Sequence, residues 1–135
     1  MSEVIEREYL KVLNTVQKAS GYEIVELGEN SSQVKLSLEN AQTTDDSKTI
    51  FDAEIYKCAS FAAIVSVNEA DSFIINSNVD FLSQVELNQT EVLFEAKALS
   101  SSQGKNFIEV VGKINDISVF LGSFTVLKLD KRSMV

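Results

Sequence analysis

The sequence predicts an α+β domain in which a largely antiparallel sheet of about six strands wraps around one long central helix. Three observations carry this. The stretch Asp52 to Val67, DAEIYKCASFAAIVSV, opens on polar and charged residues and is apolar on every side from Cys58 onward. A helix that is apolar all round is expected to be buried all round. Strand-like segments stand on both sides of it, two before and four after. Strands that cluster, instead of alternating with helices, point to antiparallel pairing.

Taken in order, residues 2–19 read as an amphipathic helix. Ile5, Tyr9, Val12, Leu13 and Val16 fall on one stripe, with Ser2 as an N-cap and Gly21 placed to end it. A hairpin follows over Tyr22 to Asn40. Its first strand carries Tyr22, Ile24, Val25 and Leu27, its turn is Gly28 to Ser32, and Val34, Leu36 and Leu38 then alternate with Gln33, Lys35 and Ser37. Asn40 to Lys48 is a polar loop. Thr49 and Asp52 stand three apart, like a capping box with Asp in place of Glu, or Asp52 is itself the cap. Asn68 to Asp71 closes the helix.

The second half is rich in strands. Ser72 to Leu82 carries Phe73, Ile75, Val79 and Phe81 at period two. Glu91 to Leu99 sets Val92, Phe94, Ala96 and Ala98 against Leu93, Glu95 and Lys97. Ser100 to Lys105 is a turn, and Asn106 to Ile114 and Ile117 to Leu127 are joined at Asn115–Asp116, with a bulge expected at Gly122. The whole reads as one domain, 1–135: an N-terminal helix over 1–20, a core over 21–129 and a tail over 130–135. A sheet with open edges and a second face calls for self-association to cover them.

Composition narrows the function. The 135 residues carry a net charge of −8, which argues against nucleic-acid binding. The one basic cluster, Lys128, Lys131 and Arg132, is too small for such a role. The sequence lacks histidine, which removes histidine-activated nucleophiles and histidine metal sites. No apolar run is long enough for a membrane helix, and the acidic start MSEVIEREYLK lacks a signal-peptide pattern. The single Cys58 fits a reducing compartment, so the cytoplasm is expected.

The element order, the apolar central helix and the final strand set VDFLSQV…EAKALSSSQGKNFIEVVGKI…ISVFLGSFTVLKL resemble the hotdog fold over nearly all of Tyr22 to Leu129. That family holds acyl-CoA thioesterases, dehydratases and non-catalytic acyl-CoA sensors. The resemblance implies a homodimer or a dimer of dimers with an acyl thioester between subunits, beside the first turns of the central helix. It implies coenzyme A as part of a ligand or substrate, and no metal. The phenylacetate-pathway type of thioesterase carries His-Gly-Gly and, after six residues, an acid on the helix. Here the His-Gly-Gly falls on Phe51, Asp52 and Ala53, and the acid falls on Ser60. A second type keeps an Asp ahead of the helix in an Asp-x-x-Gly context; Asp52 or Glu54 takes that place without the glycine. Closer in texture is the malonyl-CoA-sensing hotdog domain of a bacterial lipid-synthesis repressor. It is similar to IYKCASFAAIV from Ile55 to Val65, and to Val119, Phe120, Gly122 and Phe124 in the last strand.

The candidate site residues follow. Asp52 and Glu54 are the carboxylates at the helix start, either helix-capping groups or the general base of a thioesterase. Tyr56 and Lys57, one turn in, either line a pocket or pack and stay solvated. Ser60 has no histidine to activate it and is expected to contact a ligand at most. Cys58 reads as a small buried residue. Asn76 and Asn78 are read as orienting a ligand or pairing across a dimer, and Phe81 as bordering the tunnel. Lys97, Lys105 and Lys113 are the lysines available for coenzyme A phosphates. The expected function is acyl-CoA binding by a degenerate thioesterase relative. The alternatives are an active thioesterase using Glu54 or Asp52, and a protein-interaction module with no small ligand.

Overall fold

The structure, a computed structural model, describes residues 22–39, 41–46 and 48–129. The predicted N-terminal helix and the tail lie outside them. Within them the chain runs β1 (Glu23–Gly28), β2 (Ser31–Ser37), α1 (Asp52–Val67), β3 (Ser72–Phe81), β4 (Glu91–Ser102), β5 (Lys105–Ile114) and β6 (Ile117–Lys128). The strands form one six-stranded sheet in the order β1-β2-β4-β5-β6-β3, every pair antiparallel. One helix packed on one face of an antiparallel sheet is the predicted α+β architecture.

The pleat explains which residues enter the core. Val34 faces Phe94 across β2 and β4, Phe94 faces Gly112, and Gly112 faces Phe120, so one row runs across the inner face. Ile24, Val34, Val92, Phe94, Val110 and Phe120 are all completely buried. The helix meets them with Ile55, Cys58, Ala59, Phe61, Ala62 and Val65. Small residues at Ala59, Ala62 and Ala63 let the helix axis approach the sheet. Tyr22 packs on Phe61 with ring centroids 5.0 Å apart.

The turns are tighter than the composition suggested. Gln103 and Gly104 alone connect β4 to β5, both at positive φ (52° and 81°), and Asn115 and Asp116 connect β5 to β6 in the same way (50° and 67°). Two consecutive positive-φ residues match the right-handed twist of the strands they join. The first hairpin turns at Glu29–Asn30, so Ser31 and Ser32 belong to β2. Asn68 ends α1 in the left-handed conformation (φ 53°, ψ 47°), and its N–H donates to Ile64 O at 3.0 Å.

Four expectations are corrected. There is no capping box. Phe51 occupies the N-cap with no side-chain cap bond, because Thr49 is held in extended pairing with Glu86 and the helix starts only at Asp52. The helix is not buried all round. Ala53 and Lys57 are exposed and Ser60, Ile64 and Val67 only half-buried, a stripe at helical spacing turned away from the sheet. The period of two in β3 breaks at Ile75, where the pairing with β6 shifts register. Phe73 therefore shares the outer face with Asn76, Asn78 and Asp80, while Ile74, Ser77, Val79 and Phe81 face inward. Finally, Gly122 pairs regularly with Val79 and Val110. It is small for another reason: a Cβ there would sit 2.8 Å from the Phe124 ring and 3.0 Å from the Phe120 ring.

One polar group is built into the core. Ser32 of β2 meets Ser66 of α1 at 3.0 Å, and each hydroxyl lies 2.9 Å from Ala62 O. Two hydroxyl protons serve three contacts, so each serine can replace the other as donor to Ala62 O. Ser32→Ala and Ser66→Ala are each expected to cost about 1 kcal/mol, and the double variant less than their sum. Denaturant unfolding of the three variants checks this.

The loop before α1 is ordered by Asp46. Its carboxylate accepts from Thr44 Oγ1 at 2.6 Å, from Lys48 N–H at 2.9 Å and from Thr49 N–H at 3.3 Å. The Thr44 bond first, then the Lys48 amide, hold this exposed carboxyl below its ordinary value of 3.8. A depressed carboxyl contributes above its unfolded value and loses that contribution as pH falls through the folded one. The amide signals of Lys48 and Thr49 are therefore expected to report a titration by NMR with its midpoint below pH 3.8.

Candidate functional site

The helix start is assembled from three segments. Ile50 N–H donates to Val85 O at 2.7 Å and Leu87 N–H to Lys48 O at 2.7 Å, which ties the 83–90 segment to the residues just before α1. β3 runs back along the helix: Ser77 stands beside Tyr56, and a further four residues at about 3.3 Å each carry the strand toward and past the level of the helix start by Phe81. Four large apolar residues are left exposed at this end, Phe51 (47%), Phe81 (42%), Leu82 (53%) and Leu87 (42%). Apolar side chains gathered around a polar helix terminus are what an amphiphilic ligand or a partner surface would cover.

The terminus itself is open. Glu54 N–H donates to Phe51 O at 2.9 Å, whereas the N–H groups of Asp52 and Ala53 have no acceptor among the described residues. Unpaired N–H groups at the positive end of a helix can accept a developing negative charge on a carbonyl oxygen. Asp52 is exposed, Glu54 half-buried, and neither carboxylate caps the helix. Glu54 stands one turn from Cys58. Burial, and then the charge of Glu54, push the Cys58 thiol far above its ordinary value, so it stays protonated and inert.

The predicted site residues divide between two regions. Asp52, Glu54, Tyr56, Lys57, Ser60 and Phe81 lie on the helix or against it. Tyr56 stacks near Phe124 with centroids 5.9 Å apart, and its hydroxyl is 2.8 Å from Ser77 Oγ. Phe81 meets Phe120 edge-on at 5.5 Å. Ser60 Oγ donates to Lys57 O, one turn back, at 2.8 Å. Asn76 and Asn78 are not brought there. They pair with Thr125 and Ser123 and point to the outer face, opposite to Tyr56.

The three candidate lysines also lie on that outer face. Lys97 faces Glu109 across β4 and β5, Lys105 faces Leu127, and Lys113 is bonded to Glu95 at 2.7 Å. Elsewhere, a cleft of about 510 Å³ is framed by Glu23, Glu39 and Glu91 around Lys35. Lys35 is already 3.4 Å from Glu91, and three carboxylates disfavour a phosphate there. Sequence reading missed Ser77, which looked like one more polar residue on a solvated strand. Ser77 stands two residues before Val79 and four before Phe81, so it shares their inward face, and that alternation was the signal that could have found it.

Six antiparallel strands in this order, closed over one helix, define a hotdog-fold protein. Solved structures bear this out. The chain is similar to Cj0977, a sigma28-regulated virulence protein from Campylobacter jejuni, at 28% identity and a TM-score of 0.85, over 93% of this chain and 96% of that one. It is similar to an HP0420 homologue from Helicobacter felis at 28% identity and a TM-score of 0.84, over 96% and 93%. A hypothetical thioesterase from Streptococcus pneumoniae, solved with coenzyme A, matches at 12% identity and a TM-score of 0.71, over 78% and 84%. No protein-family model and no curated protein matches the chain. The chain thus has the hotdog fold, and the solved structures that share it include a hypothetical thioesterase. Among the described residues no helix is long and apolar enough to cross a membrane.

Proposed function

We propose that the chain is a cytoplasmic homodimer that holds an acyl-CoA, or a similar acyl thioester, between its subunits beside the start of α1, without strong hydrolysis. The observation that carries the reading is Ser60. It occupies the position where a common type of hotdog thioesterase keeps its acid, and its hydroxyl proton is committed to Lys57 O. The neighbour solved with coenzyme A supports the ligand class. The open helix terminus and the exposed Phe51, Phe81 and Leu82 support the location.

Self-association is supported by the two surfaces a single chain leaves uncovered. One is the half-exposed helix stripe Ala53, Lys57, Ser60, Ile64 and Val67. The other is the free edge of β3, ten residues long with Asp80 as its one charge. A long edge with a single charge is a template for pairing. Native mass spectrometry is expected to give a dimer or a dimer of dimers, and a monomer would sink the shared site.

A second reading rests on the missing cap. Asp52 and Glu54 make no capping bond, so either is free to take a proton from water as it attacks the thioester, with the Asp52 and Ala53 N–H groups on the oxyanion. A panel of short to long acyl-CoAs separates the two readings. Saturable binding by calorimetry with intact thioester is expected. Turnover that disappears in Glu54→Ala or Asp52→Ala would establish the enzyme instead. Absence of any acyl-CoA binding would leave the interaction-module reading.

A further inference from the structure

The Tyr56–Ser77 pair has a feature that packing alone does not require. Its two hydroxyls stand 2.8 Å apart and either can be the donor. One bond uses one hydroxyl proton, and the pair has two. Among the described residues no acceptor meets the second. The pair is half-buried, so water takes that proton in the free protein.

Its surroundings are apolar. The Phe124 ring lies 5.9 Å from that of Tyr56, Ala59 and Ala63 are fully buried on the same helix, and Val79 shares the inward face of β3 with Ser77. On the helix, Tyr56 follows Asp52, whose N–H is open, by four residues, about one turn or 6 Å by residue rise. A polar group fixed at that remove from the carbonyl-accepting end would read the part of an acyl chain next to its thioester.

We infer that the Tyr56–Ser77 pair is a specificity element that donates its spare proton to an oxygen carried by the acyl chain near the thioester, so the site selects an oxygenated acyl group over a plain aliphatic one. This rests on the acyl thioester reading above. The physical ground is that a plain chain displaces the water and leaves a donor unpaired, while a hydroxyl or keto oxygen replaces the bond that water made. Ser77 fixes the Tyr56 hydroxyl on one side, so the spare donor is held in place before the ligand arrives.

The test compares matched ligands, 3-hydroxybutyryl-CoA against butyryl-CoA and the corresponding twelve-carbon pair, by calorimetry. The wild-type protein is expected to bind the hydroxylated member about five- to tenfold tighter, the size of one hydrogen bond. In the double variant Tyr56→Phe/Ser77→Ala, which has no hydroxyl proton left to give, the ratio collapses toward one, while each single variant keeps one unspent proton and part of the preference. The ratio is taken within one protein sample, so a lower folded fraction does not move it. Equal affinities in the wild type, or a ratio that survives both substitutions, overturn the inference while leaving thioester binding standing. Binding of none of the four thioesters overturns the thioester reading itself and this inference with it.

Discussion

Gly122→Val is expected to destabilise the domain by about 3 kcal/mol, at the upper end of what overpacking a core does. The Cβ alone would stand 2.8 Å from the Phe124 ring and 3.0 Å from the Phe120 ring, and both rings are almost completely buried. Neither has room to retreat. Phe120 is held edge-on between Phe81 and Phe94, and Phe124 lies under Tyr56. For a chain of this size the loss corresponds to a fall in Tm of roughly 10 °C. Partial rescue by Phe124→Leu would identify the clash as the cause. A Gly122→Val protein as stable as the parent would refute the account of why a glycine stands in mid-strand.

Phe120→Ala is expected to cost more, about 3–5 kcal/mol by the usual penalty for emptying a buried aromatic site. Phe120 touches two other rings, with centroids 5.5 Å away at Phe81 and 6.0 Å away at Phe94. Its removal also frees Phe81, which borders the candidate site, so acyl-CoA affinity is expected to fall along with stability. Urea unfolding gives the first quantity, and calorimetry at a temperature where the variant remains folded gives the second. Loss of stability with unchanged affinity would show that Phe81 has no part in binding.

Much of this fold was legible in the sequence, for definite reasons. The helix boundaries Asp52 and Val67 were readable because the strands around them end in turn residues and because Asn68 supplies a left-handed stop. The inner face of β4 was readable because Val92, Phe94, Ala96 and Ala98 alternate without interruption. Where the reading failed, a non-local cause intervened. The bulge at Ile75 turned Phe73 to the outer face and Ile74 to the inner one, and a bulge is decided by the partner strand, which a local pattern does not contain. Asn76 and Asn78 were read from the resemblance as orienting a ligand or pairing across a dimer, and they stand on the outer face of the sheet with Asp80. Ser77, between them, faces Tyr56.

The helix misled in a different way. Apolar residues on every side signalled burial on every side, whereas the sheet meets the helix from one side. Ile64 and Val67 remain half-exposed because a single sheet covers only one side of a cylinder. Likewise Thr49 and Asp52 have the spacing of a capping box, yet Thr49 is drawn into pairing with Glu86 and the box does not close.

The two edges of the sheet differ, and this limits how copies of the chain can add to one another. β1, at one end of the strand order, carries Glu23 and Glu26, with Glu29 following in its turn, while β3, at the other end, carries Asp80 alone. Joining β1 to β1 would bring rows of glutamates together, and like charges directly opposite are destabilising. Joining β3 to β3 uses the same surface on both copies, so the first union consumes the only receptive edge of each. For the proposed homodimer, joining by sheet edges would stop at two, because a head-to-tail join that would propagate needs the glutamate edge as well, and a dimer of dimers would have to join through another surface. Neutralising Glu23 and Glu26 would remove that electrostatic barrier and open the proposed pair to head-to-tail growth.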